Sequence, residues 1–259
     1  HTHTHTHTHT HTVEAALAAL QDKDEASSPH EPSVASIVAC AVLFAAFWLL
    51  WTLWSGLEAP ADDKAFHALR FARMLGFLSF SHYSMGLVDA YGIAVQMDKQ
   101  ATFSGWIIGI YHAWYGLGAL LTWMMLQAKP SLCVAFPRAM VAQALLIHIV
   151  GAIAYVFPAG RYAPASFDHQ LMLVSRSTSG LAAGQLMQFS FVSLASVFPA
   201  SDRVQTVASF MSAVTVGVGS GPIMAVLCNA VHSVFGRPTV VDDFALVGVA
   251  QAAGAAALL

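Results

Sequence analysis

Residues 171–198 read LMLVSRSTSGLAAGQLMQFSFVSLASVF. The run holds no Asp, Glu or Lys, and its one charge is Arg176. At ~100° per residue, Arg176, Gly180, Gly184 and Gln188, each four residues after the last, stay close to one helix face. An arginine inside an apolar span is expensive, so it needs a partner or a water-filled cavity. The glycines behind it let a second backbone come close. The stretch therefore predicts a membrane helix, closely packed on a neighbour, with its arginine turned toward a polar interior.

The composition agrees. Of 259 residues, 57% are hydrophobic and only 10% charged, and the mean hydropathy is +0.62. Soluble domains carry nearer ~25% charged residues. So much apolar surface needs lipid to cover it, and an all-α, polytopic membrane protein is expected, with the lipid bilayer as its first partner. The apolar runs are continuous and lack strand alternation, which argues against a β-barrel. A net charge of -3 gives no sign of nucleic-acid binding. Cys40, Cys133 and Cys228 have neither metal nor disulfide spacing. No metal site and no cofactor is expected. The absence of HExxH, GxSxG or paired-carboxylate motifs speaks against an enzyme.

Working outward, residues 1–33 begin with a His-Thr repeat and read as a disordered low-complexity tail. Residues 34–57 form an uncharged span whose tryptophans, Trp48, Trp51 and Trp54, gather where an interfacial belt would lie. Residues 58–73 are a polar linker. Five further spans are expected at about 74–97, 104–127, 137–157, 171–198 and 204–231, and a last helix at 244–259. That last stretch is shorter than the ~20 residues a span needs, so it is expected to continue beyond the sequence. With residues 58–73 cytoplasmic, that side collects Lys64, Arg70, Arg73, Lys129, Arg138 and Arg203, against Lys23, Lys99, Arg161 and Arg237 opposite. This is a mild positive-inside bias.

Asp89 is the carboxylate deepest in any span, and Arg176 the deepest base. A lone buried charge costs several kcal/mol, whereas an ion pair facing one cavity costs much less. The two are therefore expected to share an aqueous cavity. Burial favours the protonated form of a carboxylate and a nearby arginine the ionised one, so opening and closing the cavity would couple protonation to conformation. Candidates for lining that cavity are His82, Tyr83, His112, Tyr115 and Gln188. Gly217, Gly221 and Pro222 lie mid-span, where they permit close packing or a gate.

These motifs resemble the N-terminal half of a major facilitator superfamily (MFS) transporter. In that family the fourth core helix carries an R-x-x-x-G-x-G pattern, matched here by Arg176, Gly180 and Gly184, with Ala182 at the intermediate position. The fifth carries G-x-x-x-G-P, matched by Gly217, Gly221 and Pro222. The cytoplasmic G-x-x-x-D-R-x-G-R-R loop is replaced by LQAKPSLCVAFPR, which keeps only the charges of Lys129 and Arg138. The resemblance covers residues 74–259 and makes the span at 34–57 an extra helix. It implies an MFS-like six-helix bundle in which the Gly-Pro helix packs on Gly180 and Gly184. It also implies a proton-coupling role for Asp89 with Arg176, and places His148 on a helix that mostly faces lipid or neighbouring helices.

The expected function is secondary active transport of a small organic solute by alternating access, with proton coupling as an option. The second half of the cavity would lie in a C-terminal half of the same chain, outside this fragment. A seven-span receptor or channel-like protein is the alternative.

Overall fold

Hydropathy marks where lipid begins; it does not mark where a helix begins. In a computed structural model, the polar stretch before the first core span is already helical from Asp63. The residues there, DKAFHALRFAR, are mostly good helix formers. The structure describes residues 63–129, 137–159, 167–235 and 240–256, and Leu258. The tail at 1–33 and the extra span at 34–57 lie outside these residues.

Among the described residues six helices form: α1 Asp63–Gln96, α2 Ala101–Ala128, α3 Pro137–Ala159, α4 Asp168–Val197, α5 Arg203–Phe235 and α6 Val240–Ala256. Local chemistry sets their ends. After α1, Asp98 adopts a left-handed φ of 53°. The amide of Asp98 returns to the Val95 carbonyl at 3.0 Å and that of Lys99 to the Ala94 carbonyl at 2.9 Å, a Schellman closure. Pro137 opens α3 at the one position where a missing N–H does no harm. Asp168 places a negative charge in the first turn of α4. Pro199 follows the end of α4, where the chain can no longer continue as a helix.

Three of the six helices are long and apolar enough to cross a membrane: Arg138–Ala159 within α3, Asp168–Val197, and Arg203–Leu227 within α5. The other three depart from the expected run of apolar spans for visible reasons. α1 carries charged first turns and polar groups along its length, α2 carries Tyr111, His112, Tyr115 and three tryptophans, and α6 is short. Large apolar side chains nevertheless lie exposed outside the bundle, among them Tyr91, Trp106, Leu120, Val150 and Val226. Surfaces of this kind suit contact with lipid or another protein.

Glycines set the packing. Gly180 and Gly184 of α4 lie against the carbonyls of Tyr111 and Tyr115 of α2, and Gly118 of α2 lies against that of Leu181. A side chain at any of the three would collide with backbone. Gly217 and Gly221 of α5 lie in the same way against Phe77 and Ser84 of α1. The Ser84 hydroxyl donates to the Gly217 carbonyl at 3.2 Å. The Gly-Pro helix therefore packs on α1, and not on Gly180 and Gly184 as the sequence suggested. The glycines of α4 are already filled by α2. In both seams the contacts advance along the two chains together, so α1 and α5 run parallel, as do α2 and α4.

Replacing Gly184 by Val is expected to force α2 from α4 and lower stability by at least ~1–3 kcal/mol, the usual range for overpacking. Gly109→Val, where a β-carbon meets nothing within 4 Å, is the control expected to change little. Thermal unfolding of both variants in detergent reads the difference.

Candidate functional site

Arg176 is fully enclosed, with 0% of its surface exposed. It faces the interior of the six helices and not an open cavity, because α1, α2 and α3 close over it. On α1, Gly86 makes the room: a β-carbon there would stand 2.7 Å from the guanidinium carbon. On α2, the Tyr111 ring lies beneath that carbon, 4.7 Å from ring centre to Cζ. A desolvated cation–π contact of this kind contributes about 2 kcal/mol. Tyr111 is itself held by its hydroxyl, which donates to the Ser79 carbonyl at 3.1 Å. The nitrogens Nε, Nη1 and Nη2 of Arg176 meet no hydrogen-bond acceptor among the described residues.

Asp89 lies one helical turn beyond Gly86 and is 3% exposed. It acts electrostatically on Arg176 and on the buried Tyr155 of α3. Arg176 and Asp89 thus occupy one polar interior, without a direct hydrogen bond between them.

A histidine pair completes the core. Nδ1 of His82 lies 2.7 Å from Nε2 of His148, and the rings meet edge to face at 4.4 Å. Both are buried. A hydrogen bond between two imidazole nitrogens needs a donor on one and a lone pair on the other, so at least one ring is neutral. The pair can pass or hold a single proton beside the Arg176 cation. Gln251 of α6 closes this layer, its amide reaching the His82 carbonyl at 3.4 Å. No cluster of three or more metal-ligating side chains forms among the described residues.

The remaining candidates spread outward from this core. Tyr83 is half-buried, tilted against Tyr111 at 5.4 Å and edge to face with His112 at 4.7 Å. His112 is exposed and bonds its own helix at the Ile108 carbonyl, 3.1 Å away. Tyr115 is half-buried against Phe80. Gln188 is half-buried three helical turns from Arg176. Lys129 and Arg138 are exposed near the end of the bundle where α1 begins. A cavity of about 880 Å³ opens at that same end, and none of the five cavity candidates lines it.

Sequence reasoning missed Gly86, Tyr155 and Gln251, and set His148 aside. His148 carried a legible signal: Gly151, one turn on, lets Ser175 and Ser179 of α4 approach the same face of α3. No family model, curated protein or solved structure matches this chain.

Two double-mutant cycles test the core. Arg176→Ala should destabilise more than Arg176→Ala combined with Asp89→Ala, because the single change leaves a buried carboxylate without its cation. His82→Phe and His148→Phe should each cost ~1–3 kcal/mol by orphaning the other ring, and the double variant less than their sum. Equilibrium unfolding in detergent measures both couplings.

Proposed function

We propose that this chain belongs to a secondary active transporter, which moves a small organic solute through a multi-pass membrane domain by alternating access. Protons are the coupling ion. One observation carries the reading. Exchanging each helix of α1–α3 for its counterpart in α4–α6 carries most touching helix pairs onto touching pairs, although the α3–α4 contact is far more extensive than α1–α6, and α1–α2 more than α4–α5. The α2–α4 and α1–α5 seams exchange with each other, as do α3–α4 with α1–α6 and α1–α2 with α4–α5. The pairs α1–α4 and α3–α6 map onto themselves, and α5–α6 alone lacks its counterpart among the principal contacts. Units of three helices that alternate in direction make an inverted repeat, the kind nested within each six-helix half of transporters of the MFS type.

The two self-paired helices that carry the core charges are α1, with Asp89, and α4, with Arg176. Protonating Asp89 removes an anion from the surroundings of a guanidinium that has no hydrogen-bond acceptor of its own among the described residues. The interior then favours whichever packing supplies the cation with water or a solute anion. That difference couples proton to conformation. The basic end of the bundle, with Arg70, Arg73, Lys129, Arg138 and Arg203, faces the cytoplasm under the positive-inside rule. The order of the motifs at Arg176–Gly180 and Gly217–Pro222 supports the same assignment. A second six-helix half supplies the opposite wall of the solute path.

The test is uptake by full-length protein in proteoliposomes under an imposed pH gradient, with labelled sugars, amino acids and carboxylates as probes. One class is expected to accumulate. Asp89→Asn should abolish accumulation while leaving exchange of pre-loaded solute. Wild-type pH dependence in that variant, or uptake of no class by the parent protein, would count decisively against the reading.

A further inference from the structure

The cavity at the α1 N-terminal end lies apart from the polar core. It is lined by the first turns of α1 and α3, the last turns of α4, and Leu258. It reaches about 880 Å³, within the usual range of ~300–1,000 Å³ for ligand sites. Its chemistry is divided. Arg70, Arg138 and His67 stand in its wall, with no carboxylate among the described lining residues. Arg70 is half-buried and Arg138 exposed. Neither makes a hydrogen bond or ion pair among the described residues. The α3 N-terminus, with its positive dipole end, opens at the same place. The rest of the wall is apolar, chiefly Phe71, Leu75, Val141, Leu145 and Phe189. Phe71 is 38% exposed, on the outer side.

An inorganic anion would use the arginines and leave the apolar wall wet. A neutral lipid would use the wall and leave the arginines unmatched. We infer that this cavity binds the head group and upper acyl chain of an anionic phospholipid. Its phosphate would lie between Arg70 and Arg138, and its chain along Leu75, Leu145 and Phe189. This rests on the membrane reading, with the basic end in the cytoplasmic leaflet, where anionic lipid is concentrated and basic pockets between helices take lipid head groups. The lipid would tie α1 to α3 and α4 at one end only. It would thereby bias how those helices shift against each other.

The experiment is native mass spectrometry of the purified full-length protein in detergent, titrated with dioleoyl phosphatidylglycerol or dioleoyl phosphatidylcholine. Phosphatidylglycerol is expected to be retained in preference, and less so as salt rises. Arg70→Gln and Arg138→Gln should each weaken that retention roughly fivefold, taking the usual contribution of one basic residue near an anionic surface. The double variant should lose the preference, and Arg70→Lys with Arg138→Lys should keep most of it. Circular dichroism melting checks that the variants remain folded, and the salt dependence of the parent protein needs no variant at all. Equal retention of the two lipids would overturn the proposal, as would unchanged retention by the double glutamine variant. Saturation of the site by millimolar inorganic phosphate, displacing phosphatidylglycerol, would assign it to a soluble anion instead. Because no transport is measured, failure of the transporter reading leaves this result untouched.

Discussion

Everything at the centre of this bundle follows from placing one guanidinium where water does not reach. Arg176 has 0% of its surface exposed, and an ion so buried carries an effective penalty of several kcal/mol even after relaxation. The neighbours answer that penalty in different ways. Gly86 yields volume, the Tyr111 ring offers its negative face at 4.7 Å, and Asp89 supplies a field from one turn away. The histidine pair beside them stays within hydrogen-bond distance at 2.7 Å, an arrangement that two fully protonated rings could not share.

The same helices are held by seams that tolerate almost no change. Gly180 and Gly184 receive the backbone of α2, and Gly217 and Gly221 receive that of α1. In lipid, where helices gain little from hydrophobic contact, close backbone approach and dispersion carry much of the association. The two seams join parallel helices. α1 with α5 and α2 with α4 form the two most extensive seams, with α3 packed nearly as extensively on α4.

Charge also separates the two ends. The polar core lies toward the end where α1 finishes, while the basic residues and the cavity gather where it begins. A solute or proton at the core and an anion at the cavity would therefore act on the same three helices, α1, α3 and α4, from opposite ends.

Much of this was legible in the chain. The run at 171–198 fixed a helix, since its length and apolarity leave no other way to satisfy the backbone in lipid, and α4 spans Asp168–Val197. The four-residue spacing placed Arg176, Gly180 and Gly184 near one face, and the depth of Asp89 and Arg176 marked both as interior. Helix onset at Asp63 was hidden because polar helix-forming residues resemble a linker on a hydropathy scale. Partnership was hidden for a deeper reason. A small-residue face accepts any backbone of suitable curvature, so sequence could identify Gly180 and Gly184 as a docking surface but not assign them to α2 over α5. Likewise, His148 is one histidine in an apolar span until tertiary packing brings it to His82 across a separation of 66 residues. Local spacing determines which residues share a face. Only the mutual packing of six helices, each seeking to bury the same charge, decides which faces meet.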